Sequence, residues 1–183
     1  MFKKLIATIA TTVCCLADPL PANAQNSFED HNELWKAIQS VGVVTLINHP
    51  IHCKDRTFAG IYYDNAMLVI CQDNREANNG VQIEWTDNDL DTLRHEAHHI
   101  VQDCAVGTVG DYKMERMFAD DDEFFSFVKE SSYTEDNLVN LYTKLRENLT
   151  DREALIEVEA YVIARDIPAK SITDKLLQFC NNE

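Results

Sequence analysis

The residues with the clearest capacity for chemistry lie in the stretch LRHEAHHIVQDC, which runs from Leu93 to Cys104. Side chains four residues apart on a helix project side by side, so His95 and His99 can reach the same metal ion. Glu96 follows His95 directly and can approach a water molecule at that ion without being one of its ligands. The spacing His-Glu-x-x-His therefore predicts a metal centre with a carboxylate base beside it.

The surrounding sequence favours such a site over an exposed helix face that carries histidines by chance. Thr86 and Asp89 have the spacing of a helix N-cap, so the motif falls in the middle of a capped helix. His98 projects away from the face shared by His95 and His99, and we expect it to support a ligand, to lie at the surface or to find a partner in the core. The apolar residues of this helix fall in one arc that would pack on the core, namely Leu90, Leu93, Ala97, Ile100, Val101 and Cys104.

Before the motif, the sequence predicts one helix and a small sheet. Apolar residues at helical spacing begin after Ser27, which resembles an N-cap. The β-branched residues 43–47 predict a strand, and FAGIYYDNAMLVICQ predicts a β-hairpin around a turn at Asp64 and Asn65. Residues 81–84 predict a further short strand.

After the motif, the sequence predicts only helices. ADDDEFFSFVKE predicts a short one, and the pairs Ser132 with Glu135 and Thr150 with Glu153 resemble the caps of two more. A last helix carries the apolar positions of residues 172–179. We therefore expect an α+β fold that is predominantly helical, with a small N-terminal antiparallel or mixed sheet containing a hairpin, then the motif helix and a helical C-terminal half.

Residues 1–24 have the layout of a secretory signal peptide. A basic start precedes an apolar stretch, and the small residues Ala22 and Ala24 provide a cleavage site. The apolar stretch is shorter than the about 20 residues needed to span a bilayer. We expect cleavage near Ala24, a secreted or periplasmic location, and a single domain formed by residues 25–183.

The chain is strongly acidic. It carries 16 Lys and Arg residues against 31 Asp and Glu residues, a formal net charge of −15. Such a surface repels nucleic acid and anionic lipid. We therefore expect neither nucleic acid nor a membrane as a partner, and the charge gives no indication of the oligomeric state.

Four cysteines follow residue 24: Cys53, Cys71, Cys104 and Cys180. An even number in an exported protein predicts two disulfides, and four cysteines allow three pairings. We favour Cys53–Cys71, which closes a short local loop, and Cys104–Cys180, which ties the chain end to the motif helix. A zinc site built from all four is disfavoured because the sequence contains no CxxC pair.

The segment HEAHH, residues 95–99, resembles the zinc-binding helix of the zincin metallopeptidases. In those families a small sheet, whose edge strand holds extended substrate, precedes this helix, and a helical half follows it. The resemblance covers roughly residues 61–164. Gln102 and Ala105 stand where the metzincin branch has Gly and His, which excludes that branch and leaves a gluzincin-like protein whose subfamily is not identified.

In the gluzincins, a glutamate on a later helix is the third zinc ligand. The resemblance implies Glu157 for this role, because Ala160 follows it in the Glu-x-x-Ala pattern, and Glu159 is the alternative. Glu153 is expected to be engaged in its helix cap. Tyr161 stands where an acidic residue often follows the ligand, which leaves the usual supporting carboxylate without a counterpart.

These observations lead to an expected function, a secreted zinc-dependent peptidase with one Zn²⁺ ion held by His95, His99 and Glu157. Glu96 would act as the general base, and a peptide or protein would be the substrate. The alternative is an exported zinc-binding module without catalysis, although the presence of Glu96 favours the enzyme. A small disulfide-stabilised protein without metal is a third interpretation. The sequence does not choose the donor to the oxyanion among Tyr112, Tyr142, Tyr161 and His98.

Overall fold

A computed structural model of the chain describes residues 28–54, 58–73, 80–111, 113–118 and 120–181. Residues 1–24, predicted to be a signal peptide, lie outside these ranges, as do Ser27, the expected N-cap of the first helix, and Tyr112. Within the described ranges, six helices and a three-stranded mixed sheet confirm the predicted fold class. None of the described helices is long and apolar enough to cross a membrane.

The sheet lies in the first half of the chain, after one helix. Helix α1, Phe28–Ser40, is followed by strand β1, Val44–Ile47, and then by the hairpin of β2, Gly60–Tyr63, and β3, Met67–Ile70. The strand order is β1-β3-β2, with β1 parallel and β2 antiparallel to β3. Strand β2 is therefore an edge strand, and it packs against the motif helix.

Five helices follow the sheet in the described part of the chain: α2 Asp87–Cys104, α3 Asp121–Glu130, α4 Glu135–Leu145, α5 Asp151–Asp166 and α6 Ala169–Cys180. Helix α2 carries the motif and begins with the predicted capping box of Thr86 and Asp89. Helix α5 begins with the predicted box of Thr150 and Glu153. These side chains satisfy backbone N–H groups that have no partner inside the helix, so they set where each helix begins.

Helix α2 is buried on almost every side, although the sequence indicated one core face and one polar face. Its apolar arc packs with core residues of α1 and α6, among them Leu34 and Ile172. Helix α5 packs against α2 as well, and its Ala160 and Ala164 are buried small residues of the kind that let two helices approach closely. Polar side chains of α2 are consequently buried too, including those of His98, His99, Gln102 and Asp103.

Two local predictions were wrong. Residues 81–84 form no strand, because the side-chain amide of Gln72 takes the place of a neighbouring strand. It accepts a hydrogen bond from the backbone N–H of Ile83 and donates one to the Ile83 carbonyl. Helix α4 is capped by Thr134 and not by Ser132, because the helix begins one residue after Thr134.

Both expected disulfides are formed. Cys53–Cys71 joins the loop before β2 to the residue after β3, over a separation of 18 residues. Cys104–Cys180 joins the last residue of α2 to the last residue of α6, over 76 residues. Two disulfides are typical of a protein that folds in an oxidising compartment.

Candidate metal centre

Helices α2 and α5 bring two histidines and one glutamate together. The Nε2 atoms of His95 and His99 are 3.1 Å apart. Oε2 of Glu157 lies 3.2 Å from Nε2 of His95, and Oε1 of Glu157 lies 3.3 Å from Nε2 of His99. The two histidines lie one turn apart on α2, and Glu157 faces them from α5.

These distances fit a single tetrahedral metal ion. With metal–ligand bonds of about 2.0–2.1 Å, two ligand atoms of such an ion lie about 3.3 Å apart. The contacts of 3.1, 3.2 and 3.3 Å are close to that separation. Two imidazole nitrogens and a carboxylate oxygen also form a donor set that binds divalent transition metals. His95, His99 and Glu157 could therefore hold a metal ion.

Burial and mutual contact shift the pKa values of the cluster. Burial raises the pKa of Glu157, but the hydrogen bonds and charges of His95 and His99 outweigh burial and hold this pKa far below its usual range. Burial lowers the pKa of His99, whereas its hydrogen bond to Glu157 and the charge of Glu157 raise it, to about 9. In the metal-free protein a proton on His99 thus balances the Glu157 charge, and a metal ion would replace that proton.

Glu96 lies beside the cluster and is not one of the three residues grouped there. It is 7% exposed and borders the same cleft as the cluster. Burial raises its pKa, and positive charge on His95 and His99 partly offsets this rise. The backbone N–H of Tyr62 donates a hydrogen bond to the Glu96 carboxylate. A buried carboxylate of this kind, next to a metal site, is suited to accept and return a proton.

Strand β2 can approach Glu96 because its first residue is a glycine. A Cβ atom at Gly60 would lie 2.8 Å from Cγ of Glu96 and 2.6 Å from Cγ2 of Thr92. No side chain fits there unless Glu96 or Thr92 moves. The role of Gly60 was not predicted from the sequence. The available signal was a glycine within a predicted hairpin strand, which can mark a close approach of the backbone to another group.

Glu159, the alternative ligand, lies on another side of α5 and binds other residues. Its Oε1 atom is 2.7 Å from Nε2 of His98, and it also accepts hydrogen bonds from Gln102 and from the backbone N–H of Met117. His98 therefore finds its partner in the core, which is one of the three roles expected for it. Glu153 is engaged in the cap of α5, as expected.

The cluster borders a cleft of about 580 Å³. Strand β2 lines the cleft, and so does Tyr161, whose ring centroid is 4.4 Å from that of His95. Within the described part of the chain, the Tyr161 hydroxyl makes no hydrogen bond. Among the other expected oxyanion donors, Tyr142 does not border the cleft, His98 is buried against Glu159, and Tyr112 lies outside the described residues.

Gln102 is a further residue of the site, and its role was not predicted from the sequence. Its Oε1 atom is 2.8 Å from Nδ1 of His99. The signal in the sequence was its position three residues after His99, on the same side of the helix. A polar residue at that spacing can hold the ring nitrogen that does not face the metal site.

Comparisons with known proteins found no relative of this chain. No protein-family model, no curated protein and no solved structure matches it. The three-residue cluster, the buried carboxylate and the cleft are therefore the observations from which a function can be inferred.

Proposed function

We propose that the protein is a secreted, zinc-dependent peptidase of the zincin type. The observation that carries this proposal is the position of Glu96, a buried carboxylate beside His95, His99 and Glu157 in an open cleft. A zinc site that only stabilises a fold is closed by four protein ligands. Here three of the described residues could serve as ligands, and the cleft would give a substrate access to a remaining coordination position.

Zinc is the metal that we assign, because two histidines and a glutamate are a ligand set of catalytic zinc sites. A bound zinc ion would polarise the scissile carbonyl and would lower the pKa of water at the site to about 7. His95 and His99 must be neutral to bind it, and Glu157 contributes the negative charge that favours a cation over a proton.

Glu96 carries the proton in this proposal. It accepts the proton of the attacking water and delivers it to the leaving amine as the C–N bond breaks. Burial raises the pKa of Glu96, which makes its carboxylate a stronger base than an exposed glutamate. The Tyr62 N–H and the close approach of Gly60 hold this carboxylate in one place.

The substrate is a peptide or an extended segment of a protein. Strand β2 is an edge strand that lines the cleft, and an extended peptide can add to such an edge through main-chain hydrogen bonds. Tyr161 has a hydroxyl free to donate to the oxyanion that forms when the carbonyl is attacked.

The test compares the zinc-loaded wild-type protein with Glu96→Gln on a broad peptide mixture. We expect cleavage by the wild type that a chelator stops, and a loss of about 10²- to 10⁴-fold in Glu96→Gln with zinc still bound. Glu33→Gln is the matched control, because Glu33 is an exposed residue of α1 that does not line the cleft. Undiminished cleavage by Glu96→Gln would remove this mechanism, and tight zinc binding without any cleavage would favour the non-catalytic module.

A further inference from the structure

A chain of buried polar side chains runs from the metal cluster into the core between α2 and α5. Nδ1 of His99 is 2.8 Å from Oε1 of Gln102. Nε2 of Gln102 is 3.1 Å from Oε1 of Glu159 and 3.3 Å from the carbonyl oxygen of Ile156. His99 is 5% exposed, and Gln102 and Glu159 are fully buried, so water does not compete for these hydrogen bonds.

The direction of each hydrogen bond follows from the partners. The carboxylate of Glu159 and the carbonyl of Ile156 are both acceptors, so the end of Gln102 that faces them must be its NH₂ group. The amide oxygen of Gln102 therefore faces His99, and His99 must carry a proton on Nδ1 in order to donate to it. A neutral His99 ring then has its lone pair on Nε2, the atom that lies next to His95 and Glu157.

We infer that Gln102 is a positioning residue that fixes His99 as an Nε2 ligand, and that Glu159 fixes the orientation of Gln102. The outer partner of a metal-bound histidine selects its tautomer and orients its ring. Helix α5 would thus contribute one ligand, Glu157. Two residues later it would contribute Glu159, which orients a second ligand, His99, through Gln102. The inference rests on the proposed metal centre, but it does not need peptidase activity.

Glu159 is itself held on several sides. Its Oε1 atom is 2.7 Å from Nε2 of His98, and both of its oxygens are 3.1 Å from the backbone nitrogen of Met117. A rotation of Glu159 would leave these buried donors without an acceptor, as well as the NH₂ group of Gln102, and unpaired buried groups are costly. The Glu159 carboxylate is therefore held in one orientation, and it determines which end of the Gln102 amide faces it.

The first test is Gln102→Met, which keeps the approximate length of the side chain and removes its three hydrogen bonds, to His99, Glu159 and the carbonyl of Ile156. We expect the zinc dissociation constant, measured by competition with a chromophoric chelator, to rise about 10- to 100-fold. Gln72→Met is the matched control, because Gln72 is also fully buried and hydrogen-bonded but lies outside the cleft. It should lose thermal stability and keep wild-type zinc affinity. Wild-type affinity in Gln102→Met, or equal losses in both variants, would overturn the inference.

The second test reads the tautomer directly. In the zinc-loaded wild-type protein, long-range ¹H–¹⁵N spectra of the His99 ring should show a protonated Nδ1 and a metal-bound Nε2. A general effect on folding stability would not decide which nitrogen of the His99 ring is protonated and which is metal-bound. A metal-bound Nδ1 would contradict the assignment of Gln102 as its hydrogen-bond acceptor.

The third test is a rescue. Gln102→Glu places a carboxylate oxygen against the acceptors of Glu159 and Ile156, so zinc affinity should fall. The additional change Glu159→Gln returns an N–H group to this contact and should recover part of the lost affinity. If the double variant binds zinc no better than Gln102→Glu alone, Glu159 does not act through Gln102.

A wild-type protein that binds zinc but cleaves no peptide contradicts the proposed function and leaves this inference intact, whereas a wild type that takes up no zinc overturns both.

Discussion

At the scale of single residues, Glu157 and Glu159 differ in how far the sequence could assign them. They lie two residues apart on α5, about 200° around the helix, so only one can face the histidine pair. The Glu-x-x-Ala pattern indicated Glu157, and Glu157 lies at the histidines in the structure. The role of Glu159 could not be predicted, because its partners Gln102 and His98 lie on another helix, 57 and 61 residues earlier in the chain.

The two glutamates should respond differently to substitution. Glu157→Ala removes the charged donor of the cluster, so zinc affinity should fall by more than the about 100-fold typical of a lost outer partner. Glu159→Ala should lower the free energy of unfolding, by about 1–3 kcal/mol for each buried donor left unpaired. It should weaken zinc binding less than Glu157→Ala does, because Gln102 keeps its hydrogen bond to the Ile156 carbonyl. The zinc content after dialysis measures the loss of affinity in both variants, and thermal unfolding measures their loss of stability. Metal lost only from Glu159→Ala would mean that Glu157 is not a ligand.

Zinc binding should release protons in a manner that depends on pH. The pKa of His99 is raised to about 9 in the metal-free protein, so at pH 7.5 this ring carries a proton that zinc must displace. We expect close to one proton released per zinc at pH 7.5 and progressively fewer above pH 9. Calorimetric titration in two buffers of different ionisation enthalpy measures this number. A value near zero at pH 7.5 would show that His99 is already neutral.

The same shift predicts how the stability of the metal-free protein changes with pH. A raised pKa in the folded state stabilises the fold below the ordinary value of 6.5, and this contribution is lost as the pH rises through about 9. In the zinc-loaded protein His99 would have no proton on Nε2 to lose, so this decline should be absent. Denaturant unfolding of both forms between pH 6 and pH 9.5 measures the difference, and parallel curves would contradict the prediction.

At the scale of elements, the sequence predicted those features whose causes lie within a few residues. The capping boxes at Thr86 and Thr150 set the starts of α2 and α5, and the apolar runs of the hairpin predicted β2 and β3. Residues 81–84 were assigned wrongly because a side chain, that of Gln72, satisfies their backbone. The burial of α2 on nearly all sides was not predictable, because α5 and α6, which cover it, follow much later in the chain.

The contact between β2 and α2 should tolerate no side chain at Gly60. In Gly60→Ala the new Cβ would overlap Thr92 and Glu96, so we expect a loss of about 1–3 kcal/mol in unfolding free energy and displacement of the Glu96 carboxylate. The proposed peptidase activity should fall while zinc remains bound, since none of the three residues of the metal cluster is touched. Adding Thr92→Ser removes the contact with Cγ2 of Thr92 and leaves the contact with Glu96, so it should recover part of the lost stability but not the activity. Recovery of both stability and activity would show that the close approach of β2 to Glu96 is not needed to position the Glu96 carboxylate.

At the scale of the whole molecule, the two ends of the described chain meet on α2. Helices α1 and α6 pack on each other and both contact α2, so the core is completed only when the last helix has docked. The bond between Cys104 and Cys180 fixes that arrangement, because it joins the ends of α2 and α6. Cys53–Cys71 acts locally, next to the sheet.

The two disulfides should therefore contribute unequally to stability. A disulfide restricts the unfolded chain more when it closes a longer loop, and the separations of 76 and 18 residues correspond to about 4.5 and about 3.2 kcal/mol. Replacing Cys104 and Cys180 together by alanine should thus cost about 1 kcal/mol more than replacing Cys53 and Cys71. Denaturant unfolding of the two metal-free double variants and the wild type measures both losses. If removal of Cys53–Cys71 costs more, packing of that bond against β3, and not restriction of the unfolded chain, determines its contribution.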